Sequence, residues 1–193
     1  IPGFDVNGKS IINSNDALMM TELPESMIIL GAGAIGCEFA HIMDRFGVKV
    51  TIVEMLDQIL PNEDPELAQV LARSFKKRKI KMHTSTKASN AREEDGKVKI
   101  DIETKKGSET LEAEKMLVVV GRGPNTEGIG LENVGISTDK GFVSVGDYYH
   151  TGVGSIYAVG DVIASPLLAH VATKEAEIAV EHRSGSAHEQ RVE

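Results

Sequence analysis

The stretch Met27-Ile28-Ile29-Leu30-Gly31-Ala32-Gly33-Ala34-Ile35-Gly36-Cys37-Glu38 constrains this chain more than any other. Four apolar residues run into a G-x-G-x-x-G turn, and a helical pattern follows at once. Past Gly36 the apolar positions Phe39, Ile42, Met43 and Phe46 fall on one helical face. Gly47 ends that helix, and a second apolar run, Val48 to Val53, closes on Glu54. Strand, glycine turn, helix, strand and acid, in that order, predict a dinucleotide-binding βαβ unit.

Each part has a physical job. Gly31 permits the sharp turn, Gly33 lets the backbone approach a pyrophosphate, and Gly36 lets helix and strand pack closely. The amides of the first helical turn, with the partial positive charge of a helix N-terminus, suit phosphates. Glu54 is placed to accept hydrogen bonds from the adenosine ribose, and its charge repels a 2′-phosphate. Residues 55 to 60 hold no arginine to reverse that preference, and Asp57 adds to it. The sequence therefore predicts NAD rather than NADP.

The rest of the chain sets bounds. A net charge of −8 argues against nucleic acid or a membrane surface as partner. No apolar run approaches the roughly 20 residues that span a bilayer. A single cysteine, Cys37, excludes an internal disulfide and fits a reducing, cytoplasmic setting. It reads as a small packing residue rather than a reactive thiol. The six histidines show no metal-ligand spacing, so no metal site is expected. The chain opens at Ile1 and reads as a piece of something longer.

In order, residues 1–23 read as a linker, with Ile11-Ile12 as a short apolar pair and Ser14 or Asn15 capping a helix around Asp16–Met20. Asp64-Pro65 starts a helix whose apolar face is Leu67, Val70, Leu71 and Phe75. Its last turn, Lys76-Lys77-Arg78-Lys79, reads as cations at a helix C-terminus rather than a phosphate site. Ile80–His83 alternates like a strand. Strands around Thr86–Arg92 and Lys97–Thr104 flank Asp95-Gly96, a hairpin signal. Lys106-Gly107 turns the chain again and Leu111 begins the return, giving a meander expected over one end of the sheet. Lys115–Val120 suits a strand buried on both faces, running into Gly121-Arg122-Gly123-Pro124-Asn125. Glycines then punctuate short polar segments, which puts a domain boundary near Asn125. Ser155–Asp161 reads as another strand, and Leu167-Leu168-Ala169-His170 opens a helix through about His182. Ser184-Gly185-Ser186 ends it, and the tail shows no packing pattern.

Three of these stretches together resemble the pyridine nucleotide–disulfide oxidoreductases. Gly31–Glu38 is similar to that family's G-x-G-x-x-G-x-E, Leu117–Asn125 to its strand ending G-R-x-P-N, and Ile156–Val162 to its strand ending A-x-G-D. Leu167–His170 is most similar to the lipoamide-oxidising branch. The resemblance implies an α/β fold: a Rossmann-type parallel sheet with a small β-meander, plus a partial FAD-domain segment. Residues 1–124 would be the NAD domain, and 125–193 the trailing part of a discontinuous FAD domain and a tail. Gly31, Gly33, Ala34, Ile35 and Gly36 would bind the pyrophosphate, with Glu54 on the ribose. Glu38 would sit near the nicotinamide, Ala88 on the adenine side and Gly121 at the nicotinamide ribose. Asp161 would bind the flavin ribityl chain, and the amides of Leu167, Leu168, Ala169 and His170 would face the isoalloxazine. His170 would contribute backbone rather than an acid or base.

Departures from the family pattern matter equally. Its redox-active C-x-x-x-x-C, its leading FAD glycine motif and its C-terminal His–Glu pair find no counterpart, so no catalytic residue falls in this chain. Disulfide exchange needs a thiolate and a base. The resemblance therefore implies a fragment of a homodimeric enzyme that oxidises dihydrolipoamide on a 2-oxoacid dehydrogenase complex, using FAD and NAD. Alternatives are a family reductase of the glutathione, peroxide or mercuric type, or a non-catalytic NAD-binding or redox-sensing module.

Overall fold

Met27, Ile28 and Ile29 are sealed from water because their strand, β2 (Ser26–Leu30), has neighbours on every side. The structure, a computed structural model, describes residues 3–105, 107–186 and 188–192. The chain divides into two units, Ile1–Gly121 and Arg122–Glu193. In the first unit, β2 pairs in parallel with β8 (Lys115–Val118) and β3 (Lys49–Val53). β1 (Ile11–Ile12) and β4 (Lys81–His83) complete a parallel sheet in the order β1-β8-β2-β3-β4.

Side chains alternate across this sheet. Met27, Ile29, Val50, Ile52 and Leu117 join a cluster with α2 (Ala34–Arg45) and α3 (Pro65–Lys77). Ile28, Leu30, Val53 and Met116 join another with Val98, Ile100 and Ile102. Those three residues alternate along β6 (Lys97–Thr104), the middle strand of an antiparallel meander with β5 (Lys87–Glu94) and β7 (Gly107–Ala113). The meander thus covers a face of the parallel sheet, not one end as the sequence suggested. A parallel strand must be covered on both sides, and here helices take one face and a small sheet the other. Truncating any of these buried side chains to alanine removes about 2–5 kcal/mol.

Local chemistry explains the element boundaries. Asp64 caps α3, its side chain accepting from the Glu66 amide at 2.8 Å, with Pro65 at the first helical position. Asp95 and Gly96 both take positive φ, 53° and 75°, the pattern of a type I′ hairpin turn. Lys106 lies outside the described residues, while Gly107 has a φ of 127°. Arg78, just past α3, bonds Asp44 of α2 at 2.8 Å, so part of the basic run ties two helices together.

Several expectations need correction. The segment before β2 is not a linker: Ile11 and Ile12 form an edge strand beside Met116 and Leu117. The short helix there, α1 (Ser14–Leu18), is capped by Asn13, whose side chain accepts from Asn15 and Asp16 while Asp16 reaches back. On α2 the buried face is Gly36, Cys37, Phe39, Ala40 and Met43, whereas Ile42 and Phe46 are exposed. On α3 it is Ala68 and Phe75 with Leu71 and Ala72, whereas Leu67 and Val70 are exposed. Small residues line both faces because helices approach a sheet most closely through them.

The second unit carries a hairpin of β9 (Thr138–Asp139) and β10 (Phe142–Val143), and the long helix α4 (Ala169–Ser184). Gly185, at a φ of 81°, ends α4, as its sequence predicts. The core is Ile136, Val143, Tyr149, Ile163, Ile178 and Ala179. Ser155–Asp161 is not a strand: its pairing is an isolated bridge from Tyr157 to His150, and Gly160–Val162 turns as a 3-10 helix. The tail does pack. Gln190 O accepts from the Tyr148 amide at 2.9 Å, and the Val192 amide donates to the Tyr149 hydroxyl at 2.8 Å.

Among the described residues, no helix is long and apolar enough to cross a membrane.

Candidate functional site

At the carboxyl end of β2 the glycine turn is built from both sides. Gly31 has a φ of +104°, and a Cβ there would stand 2.5 Å from the Val119 carbonyl oxygen. Gly36 is tighter still, since its Cβ would fall on the Gly31 carbonyl. These two glycines are required by the fold itself. Gly33 differs: its backbone is extended, φ −68° and ψ −173°, and a Cβ would meet nothing within 4 Å. The space over Gly33 is open, and the fold does not require glycine there.

Gly33 is also the N-cap of α2, with no side chain capping it. The first helical bond runs from the Cys37 amide to Gly33 O at 3.0 Å, so the amides of Ala34, Ile35 and Gly36 precede the intrahelical ladder. Those donors and the helix dipole make a cradle for an anion.

Ala32, between the glycines, is fixed through both backbone groups. Its amide donates to Glu54 Oε2 at 2.7 Å, and its carbonyl accepts from the Leu60 amide at 2.7 Å and the Cys37 thiol at 3.3 Å. Burial pushes the Cys37 thiol up to about 11, with the Glu54 and Glu38 charges adding to the rise against an opposing contribution from the Leu60 amide. Cys37 is thus a neutral packing and hydrogen-bonding residue.

Glu54, one residue past β3, is 8% exposed. Its other oxygen, Oε1, accepts from the Leu56 amide at 2.8 Å. A carboxylate has about four acceptor sites, so each oxygen keeps a lone pair beyond its amide. The structure therefore brings Glu54 against the glycine turn. Its backbone also receives the Thr86 amide at 3.0 Å, a residue that sequence reasoning passed over. Ala88 lies two residues further, on β5, where its side chain packs into the meander cluster. Glu38 is exposed on α2, and Gly121 is exposed with a φ of +144°. Helix-start amides and a carboxylate meet at one place, an arrangement that fits a dinucleotide.

In the second unit, Asp161 lies in the Gly160–Val162 turn, exposed, and pairs with Arg122 at 3.1 Å. Leu167 and Leu168 are also exposed, and Leu168 is the N-cap of α4. The first bond of α4 runs from the Ala172 amide to Leu168 O at 3.0 Å, leaving the Ala169 and His170 amides ahead of the ladder. The Ser165 hydroxyl, between Asp161 and this helix start, is buried without a protein partner, unlike other buried side-chain polar atoms of the described residues. An orphan hydroxyl, free helix-start amides and an exposed carboxylate fit a polar cofactor edge. Arg122 was quoted in its motif without a role, and Ser165 and the buried Glu175 went unnoticed in the sequence; an acid at position 175, three residues before Ile178 and four before Ala179, was the available signal.

Comparison with known proteins places the chain in a family. A family model described as pyridine nucleotide-disulphide oxidoreductase matches residues 1–176. The chain is 46% identical over 187 residues to the dihydrolipoyl dehydrogenase of Bacillus subtilis, covering 96% of this chain and 40% of that protein. It is 42% identical over 180 residues to the mitochondrial dihydrolipoyl dehydrogenase of Dictyostelium discoideum, covering 91% of this chain and 37% of that protein. Among solved structures, LpdA from Mycobacterium tuberculosis superposes with a TM-score of 0.89 at 30% identity, covering 100% of this chain and 41% of that one. The HOCl-induced flavoprotein disulfide reductase RclA from Escherichia coli gives 0.85 at 27% identity, over 99% of this chain and 43% of that one. The chain thus spans about 40% of the length of the curated relatives it matches.

Proposed function

The chain belongs to the pyridine nucleotide-disulphide oxidoreductase family, and from that premise we propose that its first unit binds NAD(H) while its second supplies one wall of a flavin site. The observation that carries the reading is the turn itself: open space over Gly33, free amides at Ala34–Gly36, and the Glu54 carboxylate held at Ala32. Ala34, Ile35 and Gly36 bind the pyrophosphate through N–H groups, and the remaining Glu54 lone pairs take the adenosine ribose hydroxyls. Ala88 borders the adenine, Gly121 the nicotinamide ribose, and Glu38 the nicotinamide. A nicotinamide held there would supply the hydride acceptor of the reaction.

On the flavin side, Asp161 orients the ribityl hydroxyls. The amides of Leu167, Ala169 and His170 face the isoalloxazine, with α4 adding its dipole, whereas the Leu168 amide is already given to Pro166 O at 2.8 Å. The protein this chain represents oxidises a dihydrolipoyl group with NAD⁺, giving the disulfide, NADH and a proton. Higher identity to dihydrolipoyl dehydrogenases than to the RclA reductase favours that substrate. With Cys37 as its one cysteine this chain cannot itself form the redox disulfide, and the parent is proposed to act as a homodimer on a lipoyl-bearing protein.

Calorimetric titration with NAD⁺ and NADP⁺ tests the reading. A hydrogen bond to a charged group contributes about 1.5–3 kcal/mol, one to two decades in affinity. NAD⁺ is expected to bind at least roughly tenfold more tightly than NADP⁺. Equal affinities would show that Glu54 does not reach the ribose, and the NAD assignment would fall.

A further inference from the structure

Glu175 is a charged side chain that no role above uses, and it is 1% exposed. It lies within α4, at helical spacing from Ala172, Ile178 and Ala179. Ile178 and Ala179 are core residues of the second unit. Burying a carboxylate there is costly unless hydrogen bonds replace the lost water. Its Oε2 accepts the Gly160 amide at 2.7 Å.

Gly160 is shaped for that grip. Its φ is +73°, and a Cβ on it would stand 3.2 Å from the Cβ of Ala172. Ala172 makes room, Gly160 fills it, and Glu175 holds its amide. The peptide so held opens the 3-10 turn Gly160–Val162, which the Ile163 amide closes by donating to Gly160 O at 3.0 Å. Asp161 projects from the middle of this turn.

We infer that Glu175 is a positioning residue: by anchoring the Gly160 peptide it sets the direction in which Asp161 leaves the backbone. That Asp161 then meets ribityl hydroxyls rests on the function proposed above; the anchoring does not. A side chain that merely fills space at position 175 is replaceable by an apolar one of similar size. An anchor needs an acceptor at that point.

The test is amide hydrogen exchange by NMR on the chain, with no flavin added, for the wild type, Glu175→Leu and Glu175→Gln. Leucine fills the volume without an acceptor, and replacing a buried charge by an apolar side chain need not lower stability. Glutamine keeps a carbonyl acceptor. In Glu175→Leu, Gly160 and Ile163 amides are expected to exchange about ten- to a hundredfold faster. Ile178 and Ala179 keep their protection, and Glu175→Gln restores most of the protection in the turn. Unchanged exchange at Gly160 and Ile163, or a loss spread evenly through the unit, would overturn the inference.

Should the leucine variant fail to fold, the Gly160 amide proton decides. It should move upfield in Glu175→Gln, where a neutral acceptor replaces a charged one, and a fixed resonance would refute the anchor. Because no arm needs flavin, failure of the flavin reading, seen as unchanged flavin affinity when Asp161 is replaced by alanine in the flavin-loaded parent protein, remains a separate result.

Discussion

Alanine at Gly33 and alanine at Gly36 should have opposite consequences, although both residues belong to one motif. At Gly36 the new methyl falls on the Gly31 carbonyl, a backbone group that cannot rotate away. Overpacking of this kind costs about 1–3 kcal/mol, and a backbone obstacle puts it at the upper end. For a unit of this size, that lowers the melting temperature by of order 10 °C. At Gly33 the methyl meets nothing within 4 Å, and φ −68° with ψ −173° suits any residue. Alanine restricts the unfolded chain, a gain of about 0.4–1 kcal/mol. It is a poorer N-cap than glycine by a few tenths to about 1 kcal/mol, so the two effects nearly cancel. Gly33→Ala should therefore melt within about 3 °C of the wild type. On the proposed function the same methyl stands in the path of the pyrophosphate, and NAD⁺ affinity should fall roughly ten- to a hundredfold. Thermal melts and NAD⁺ calorimetry on both variants check this. A Gly33→Ala chain that binds NAD⁺ as tightly as the wild type would refute the reasoning. So would one that melts as low as Gly36→Ala.

Glu54→Ala should narrow the preference for NAD⁺ over NADP⁺ mainly by weakening NAD⁺. It should also cost about 1–3 kcal/mol for the buried Ala32 amide left without its acceptor, and less for the more exposed Leu56 amide, visible in urea unfolding. For Cys37, the folded thiol sits at about 11 against an ordinary 9.0. Its contribution to stability is thus complete below pH 9 and drains as pH rises towards 11, because the unfolded chain loses its proton first. Urea midpoints across that window should fall more for the wild type than for Cys37→Ala. The purified chain should be colourless and should not reduce NAD⁺ with dihydrolipoamide. A stoichiometric flavin spectrum or lipoamide-dependent NADH would count against the division of labour proposed here.

What was legible in the sequence was what is local. The glycine turn and the order strand, helix, strand from Leu30 to Glu54 read correctly because turn and cap are set by neighbours within a few residues, as are Asp64-Pro65 and Asp95-Gly96. Pairings between distant residues were not legible: Ile11 beside Met116 makes a strand of a segment that looks like a linker. Helix faces were misjudged where volume outweighs hydrophobicity, with Ala40 and Ala68 buried while Phe46 and Leu67 are exposed. Lys97–Thr104 was legible as a strand, yet that its Val98, Ile100 and Ile102 cover a face of the parallel sheet is decided by β2 and its neighbours. At the site, the motif residues carried the turn. Glu175 stayed hidden because a charged helical residue is ordinarily solvated, and only its apolar neighbours at helical spacing contradict that.

The sheet order β1-β8-β2-β3-β4 has a consequence for how the chain is made. β8 sits between β1 and β2, yet it is the last of the five strands to be synthesised. Until Lys115–Val118 emerges, β1 has nothing to pair with and β2 has one edge open. That open edge belongs to Ser26–Leu30, among the most hydrophobic segments of the chain, and unpaired edges of this kind template aggregation. Non-local closure also slows folding. A nascent chain stalled before residue 115 therefore carries its binding motif complete in sequence but displays a sticky strand, and its safe passage depends on how quickly four late residues arrive.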